Sequence, residues 1–377
     1  MPEKLSIALL GCGAIALKYA KLIRDHIADA ELVSVCDQDA ARAAAFAEEY
    51  GAKAFASLEE ALHPSQRAVD IVVILTPSGC HEQHILEALR QGAKNIVVEK
   101  PMTLTLSGAK TVVRACRRAG ARLFVVKQYR YNRAAQALKQ AVDEGRFGRF
   151  VMGSIRLRWC RHEHYYAQGR WRGTWAQDGG VITNQTCHLI DLLTWLMGDV
   201  DSVFALADTR LADIEAEDTC VAVLRFRNGA LGTIEATTAT RPENLDASIS
   251  ILGERGTAVL GGMSADQIDV WRFENANGED AEVLRTQAKN PDGEFAFAHR
   301  KYLEDVIRCV RDDLPASVDG IEGMRSLTVI HALYHSERTG LAARLSDDAF
   351  PASPLGIVPA TPAVSEEMLT AAVPTRL

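Results

Sequence analysis

The stretch NIVVEKPMTL, residues 95 to 104, runs as an apolar strand into Glu99, Lys100 and Pro101. A lysine delivered at a strand end can hold a proton or an anion, although at a sheet edge it can also serve solubility alone. Further on, GGVITNQTCHLIDLLTWLMG, residues 179 to 198, spaces Ile182, Thr186, Leu189, Ile190, Leu193 and Leu196 at helical intervals. That pattern predicts an amphipathic helix carrying His188 and Asp191, with Asn184 four residues before His188 and on the same face. Histidine titrates near neutrality, with an unperturbed pKa of about 6.5. Lysine needs burial or a neighbouring cation before it can act as a base. A histidine on such a helix can equally be a satisfied core residue.

A second signal lies at the N-terminus, where LSIALLGCGAIALKYAKLI sets an apolar strand, Leu5 to Leu10, directly before Gly11-Cys12-Gly13-Ala14-Ile15-Ala16. Gly11 permits a tight turn, Gly13 lets the backbone approach a pyrophosphate, and Ala16 allows the following helix to pack closely on the strand. The helix N-terminus favours phosphate charge. The next strand, AELVSVCDQD, ends in Asp37, near the spacing expected for a carboxylate on an adenosine ribose. An acid there repels a 2'-phosphate, which favours NAD over NADP. Asp39 is the better cap for the helix that follows, leaving Asp37 free.

The elements that must position these residues alternate. Helix, KAFAS, a short helix near Leu58, VDIVVILTPS, the helix HEQHILEALRQG, NIVVEKPMTL, a helix from Ser107 to Ala119 and RLFVVKQYRYN describe a doubly wound parallel Rossmann sheet over residues 1–127. Ligands sit outside the carboxyl ends of such strands, which is where the Gly11 turn, Asp37, Thr76-Pro77-Ser78 and Lys100 all fall. From 128 to 345 the pattern predicts an α+β domain with a large, mostly antiparallel open sheet, an Asn228-Gly229 hairpin and helices near 295–312 and 320–340. The Pro/Ala-rich stretch 346–377 reads as a tail, disordered or draped on a neighbour.

Bulk composition narrows the function class. The chain has 377 residues, more than one hydrophobic core usually supports. A net charge of -7 argues against a general nucleic-acid surface. The eight cysteines are scattered without metal spacing, so no metal site or disulfide framework is expected and a reducing cytoplasm is. No apolar run is long enough for a membrane span.

Gly11-x-Gly13-x-x-Ala16, Thr76-Pro77-Ser78 with His81, and Glu99-Lys100-Pro101 together resemble the glucose-fructose oxidoreductase and inositol dehydrogenase family, Gfo/Idh/MocA, over roughly residues 5 to 345. The resemblance implies an NAD-dependent oxidoreductase with Lys100 beside the nicotinamide and the substrate hydroxyl. It gives His188 the part of the acid/base histidine and makes Asn184 the polar residue that contacts substrate or nicotinamide. It further implies cofactor contacts from Gly11, Gly13, Ala14, Ile15, Asp37, Thr76, Pro77, Ser78, His81, Glu99, Gln128, Trp171 and Arg172. Many members carry Asp where this chain has Asn184, and because Asn cannot accept a proton the acid/base candidates are Lys100 and His188.

Between Arg156 and Arg172 the chain reads RLRWCRHEHYYAQGRWR, basic and aromatic in an acidic protein. Arginine forks suit phosphate and carboxylate, and aromatic rings suit a base or sugar face. An anionic substrate is expected, held by Arg158, Tyr165 and Arg172 with Lys100, Asn184 and His188. Lys127 to Asn132, residues 170 to 175, Asp178-Gly-Gly and Asn184-Gln185 are similar to one branch of the family. Its members oxidise the 3-hydroxyl of UDP-N-acetylglucosaminuronate for lipopolysaccharide sugars, and 2-oxoglutarate can serve as reoxidant. That resemblance also suggests a homodimer or homotetramer through the open sheet. A dehydrogenase of a free polyol, inositol or sugar, and a non-catalytic cofactor-binding sensor, are the alternatives.

Overall fold

The structure, a computed structural model, describes residues 3–276, 278–346 and 349–357. Strands β1 (Leu5–Leu10), β2 (Ala30–Cys36), β3 (Lys53–Phe55), β4 (Ile71–Ile74), β5 (Asn95–Val98) and β6 (Arg122–Val125) make one sheet in the order β3-β2-β1-β4-β5-β6. Every pairing in it is parallel. β4 and β5 are unbroken Ile and Val with one Asn because helices cover both faces, and all eight residues are buried. Each buried Val or Ile contributes about 1.5–3 kcal/mol. Helices Ala40–Tyr50 and Leu106–Ala119 start on side-chain caps, Asp39 accepting from the Arg42 amide and Thr105 from the Gly108 amide. Helix Ala14–Asp25 starts on Gly13, which provides no side-chain cap.

The second sheet contains β7 (Phe150–Arg158), β8 (Val200–Asp208), β9 (Thr219–Phe226), β10 (Leu231–Thr237), β11 (Asp246–Gly253), β12 (Gly256–Gly261), β13 (Gln267–Phe273) and β14 (Ala343–Arg344). Its order is β13-β12-β11-β7-β10-β9-β8-β14, and only the β10–β7 pairing is parallel. Asn228-Gly229 turns the β9–β10 hairpin, with Gly229 at φ 90°. Alternation sorts the sheet into two faces. Ile155, Leu157, Ala222, Leu224, Ile234 and Ile249 point inward and are buried. Phe204, Leu206, Val221, Val223, Leu231 and Leu252 are exposed on the other face.

Helices Cys187–Met197 and Gly320–Thr339 fill the inner face. The latter also lies against β6 and helix Leu106–Ala119, tying the two sheets together. Gly323 is small because a Cβ there would come within 2.9 Å of Val125. Helix Phe297–Arg311 returns to the parallel sheet, where Tyr302, Leu303, Val306 and Ile307 share a core with Ile7, Leu9 and Tyr19. No helix among the described residues is long and apolar enough to cross a membrane.

Two expectations need revision. The helix around His188 is broken, as Val181–Asn184 and Cys187–Met197, and the second part is buried all round except Trp195. It sits between the sheet and other helices, so its polar residues His188 and Asp191 face protein partners rather than solvent. Part of the 346–377 stretch read as a tail is packed against the protein. Within 349–357, Phe350 and Leu355 are buried in the main core and the Gly356 amide donates to the Trp175 carbonyl at 2.8 Å. The rest of the expected tail lies outside the described residues.

Candidate active site

The first wall of the site is the carboxyl edge of the parallel sheet. Gly11 has φ 96°, and a Cβ there would come within 3.1 Å of the Leu75 and Thr76 backbone. A Cβ on Gly13 would meet nothing within 4 Å, so open space lies over the uncapped helix N-terminus, where a pyrophosphate fits. Asp37 braces this turn. Its Oδ2 accepts from the Cys12 amide at 2.8 Å and its Oδ1 from the Asp39 amide at 2.9 Å. An ionised carboxylate has further lone pairs available for ribose hydroxyls. Arg42 stands 3.7 Å from it.

Beyond β4, Thr76 Oγ1 bonds the His84 ring and Ser78 is buried in a short 3-10 turn. His81 is placed differently from a ligand-facing residue. Its Nδ1 lies 2.8 Å from the Pro101 carbonyl and its Nε2 2.9 Å from the Thr76 carbonyl. Burial lowers its pKa to about 4, so the neutral ring donates its one N–H to one of these two carbonyls and sits against the other, wedged between the Pro101 and Thr76 turns. The Gly79 amide donates to Gln177 O at 3.0 Å, which lays the 171–177 segment over Pro77 to Cys80.

Lys100 crosses to the second sheet's helices. Its Nζ donates to the Asn184 carbonyl at 2.7 Å and to Asn184 Oδ1 at 3.4 Å. Asn184 Nδ2 in turn donates to Asp178 Oδ1 at 2.5 Å, and Asp178 Oδ2 accepts from the Gly173 amide. The row Lys100–Asn184–Asp178 thus restores a carboxylate near the site, one amide removed. Burial raises Asp178 to about 6, with the Gly173 amide and Lys100 opposing. Burial works against the Lys100 charge, but Cys187, Glu99, Tyr165 and Asp178 raise its pKa above the ordinary value. The Cys187 thiol is itself held protonated by burial, so Glu99 and Asp178 carry that effect at neutral pH. Lys100 is therefore an ammonium. Glu99 lies beneath it, accepting from Tyr19 Oη and from the Lys100 amide; burial raises its pKa while Lys100 opposes.

His188 sits across the same space. It stacks on Tyr129 at 4.5 Å between centroids, and its Nε2 lies 3.2 Å from Gln128 Nε2. Burial, then the charges of Lys100 and Lys127, push its pKa well below 6.5, so the ring is neutral. With the amide nitrogen toward the ring, Nε2 accepts and Nδ1 holds the proton. Turning the Gln128 amide over gives Nε2–H a partner in Oε1 and leaves Nδ1 as a base. Among the described residues His188 Nδ1, Gln128 Oε1 and Arg172 Nε are buried without partners. Such orphaned atoms cost about 1–3 kcal/mol each, a pattern expected where a ligand supplies the missing bonds. Asp191 does not enter this space. It takes a bidentate bond from Arg130 and a contact from Lys127, fixing the helix.

The basic stretch divides in two. Arg156 and Arg158 lie on the outward face of β7, opposite the face that packs on helix Cys187–Met197, and both bind Asp246. Arg158 is thus not gathered with Lys100, because strand alternation sends it to the other side. Tyr165 and Arg172 are gathered. Tyr165 Oη accepts from Gln185 Nε2 at 3.3 Å, and the Arg172 guanidinium lies 4.4 Å from the Tyr165 ring and 4.7 Å from the Trp171 ring. Among the described residues Arg172 makes no ion pair.

Residues 5–127 match the NAD-binding Rossmann-fold domain of an oxidoreductase family, and residues 139–344 match its C-terminal alpha/beta domain. The chain belongs to the Gfo/Idh/MocA oxidoreductases. Among solved structures, it is similar to the WlbA dehydrogenase of Bordetella pertussis, determined in complex with NADH and UDP-GlcNAcA. The two are 41% identical with a TM-score of 0.87, covering 91% of this chain and 98% of that one. The Chromobacterium violaceum WlbA dehydrogenase, also with NADH and UDP-GlcNAcA, is 38% identical with a TM-score of 0.84, covering 91% and 96%. The D-apiose dehydrogenase of Paraburkholderia graminis is 26% identical over 90% of this chain and 89% of its own length. This Gfo/Idh/MocA chain is an NAD-dependent oxidoreductase of the α/β class, and the open Gly13 turn with Asp37 fits that cofactor.

Two contributors were not singled out from sequence. Asp178 appeared only within a stretch similar to one branch, and nothing in the spacing says that it holds Asn184. Glu217 is buried against the Ile182 amide and Tyr334 Oη, both far away in sequence, and no local pattern marks it.

Proposed function

We propose that this chain oxidises a secondary hydroxyl, the 3-hydroxyl, of an anionic nucleotide sugar of the UDP-N-acetylglucosaminuronate kind. The observation that carries this is the Arg172–Tyr165–Gln185 group: a cation without a carboxylate partner among the described residues, stacked on aromatic rings, with Gln185 adjoining Asn184, which Lys100 contacts. The likeness to two dehydrogenases solved with UDP-GlcNAcA supports the same substrate class.

In this reading Gly11, Gly13, Ala14 and Ile15 hold the pyrophosphate, Asp37 the ribose, and Thr76, Pro77, Ser78, Glu99, Gln128 and Trp171 surround the nicotinamide. When bound, NAD supplies the hydride acceptor. Lys100, as an ammonium, donates to the substrate oxygen and stabilises negative charge developing there. Neutral His188 takes the hydroxyl proton on its unpartnered nitrogen, with Gln128 Oε1 steadying the other. Asp178 and Asn184 position the Lys100 head group. Arg172 and Tyr165 hold the anionic part of the substrate. Reoxidation by a 2-oxoacid such as 2-oxoglutarate, and a place in lipopolysaccharide sugar synthesis, belong to this reading. The described cysteines are all free, as suits the cytoplasm. The exposed apolar face of the second sheet suits a homodimer or homotetramer.

A free-sugar dehydrogenase is the second reading, supported by the D-apiose dehydrogenase relative. Thermal unfolding with NAD plus UDP-N-acetylglucosaminuronate, UDP, D-apiose or inositol separates the two, since a ligand that binds only the folded state raises the melting temperature. Stabilisation by UDP and the uronate is expected. A response to free sugars with none to UDP compounds would favour the second reading.

A further inference from the structure

A cleft of about 390 Å³ opens between the 161–164 segment, Leu211, Ala212 and Arg241. Arg161, His162, His164 and Arg241 line it, with Glu163 as its one carboxylate and Leu211 on one wall. The two arginines are held in place by neutral groups. Arg241 Nη1 donates to the Thr238 and Thr240 carbonyls at 3.2 and 2.9 Å, and its Nη2 to the Arg161 carbonyl at 3.2 Å. Arg161 Nη1 donates to the Cys160 carbonyl at 2.8 Å and to Asn244 Oδ1 at 3.2 Å, while its Nε is buried without a partner. The Arg161 guanidinium also stacks 4.7 Å from Trp159 and 5.1 Å from Tyr165.

Among the described residues neither arginine makes an ion pair, in contrast to Arg156 and Arg158 on the same stretch, which share Asp246. Two arginines lining one cleft are thus fixed, Arg241 through backbone carbonyls and Arg161 through a carbonyl, an amide oxygen and two aromatic faces, with no carboxylate partner among the described residues. His162 and His164 stack at 6.0 Å between ring centroids along the same wall. His162 donates Nε2–H to the Pro242 carbonyl at 3.1 Å, so its neutral ring offers a ligand no further N–H, and the ring N–H on this wall is that of His164. Fixed, multiply donating cations in a concave site are the arrangement that binds a compact polyanion. A continuous row of contacts leads from the cleft to the reacting centre: Arg161 to Tyr165, Tyr165 to Gln185, and the neighbouring Asn184 to Lys100.

We infer that this cleft seats the diphosphate of the sugar nucleotide, with Arg161 and Arg241 as its principal donors and His162 and His164 closing over it. The inference rests on the nucleotide-sugar reading and gives it a location. It also assigns the two halves of the basic stretch different work: Arg156 and Arg158 serve the outward sheet face, and Arg161 serves the ligand.

The test measures binding of UDP, and separately of NADH, by titration calorimetry to the full chain and to R161A, R241A and H164E. Each arginine substitution removes a charge-assisted bond and lowers UDP affinity about ten-fold or more, while NADH affinity holds. His164 is exposed and makes no hydrogen bond among the described residues, so H164E keeps the fold and brings a like charge to the rim. It too lowers UDP affinity about ten-fold. Wild-type UDP binding that survives all three substitutions overturns the cleft assignment and leaves the nucleotide-sugar reading standing. A wild type that binds NADH and no UDP overturns both.

Discussion

Glu217 is fully buried. Its Oε1 accepts from the Ile182 amide at 2.8 Å and from Tyr334 Oη at 3.1 Å, while Oε2 has no partner among the described residues. Burial raises its pKa from 4.5 to about 8, against the opposing hydrogen bonds, so at neutral pH it is a protonated acid. A folded pKa above the unfolded one means stability that is complete below pH 4.5 and is lost as pH rises toward 8. Each pH unit in that window costs about 1.4 kcal/mol, so this group alone removes about 2–3 kcal/mol between pH 5.5 and 7.5. Glu217→Gln keeps an oxygen for both bonds and cannot ionise in either state. The variant is therefore expected to be more stable than wild type at pH 7.5, with the advantage shrinking steadily toward pH 5.5. Urea unfolding of both proteins at matched concentration across that range reads the difference. The histidines depressed by burial act below about pH 6.5 and are common to both proteins, so they cancel. Parallel curves, or a variant less stable at pH 7.5, would show that Glu217 is ionised in the folded chain and refute the argument.

Lys100→Ala removes the group that stabilises charge on the substrate oxygen. Turnover should fall about 10²–10³-fold with NADH fluorescence still reporting binding, and near-normal turnover would remove Lys100 from the mechanism. Asp37→Ser takes away the carboxylate that repels a 2'-phosphate and leaves Arg42, 3.7 Å away, unopposed. The preference for NAD over NADP should narrow by about 10- to 100-fold, measured as a ratio of kcat/KM values, and an unchanged ratio would locate discrimination elsewhere. Val223→Asp, at the centre of the exposed apolar face, should dissociate the assembly in light-scattering measurements at unchanged helicity. A wild type that is already monomeric would dispose of the interface.

The parallel sheet was legible because its signals are local: apolar runs of Val and Ile, the Gly11 to Ala16 turn, and Asp37 at the next strand end. Asp39 as cap and the Asn228-Gly229 hairpin follow from equally short-range chemistry. The helix carrying His188 was read with the right apolar positions but the wrong continuity. Its break after Asn184, and burial on every side, are imposed by the sheet and helices packed around it, which periodicity does not report. Arg156 and Arg158 were correctly put on one strand face, yet which face met the site depended on tertiary packing. Helix Arg133–Asp143 buries mainly alanines, a weak apolar signal. Residues 349–357 lack any periodicity and still contribute Phe350 and Leu355 to the core. Asp178 and Glu217 act through partners distant in the chain or through geometry at a turn, and no spacing rule finds them.

In the proposed function Lys100 and His188 act on a nucleotide-linked uronate. The most direct test mixes the purified chain with NAD and UDP-N-acetylglucosaminuronate and follows the absorbance of reduced nicotinamide, with D-apiose and inositol in parallel. Growth of reduced cofactor with the UDP-uronate, abolished by excess UDP, is the predicted result. Reduction with a free sugar and none with the UDP-uronate would contradict the account.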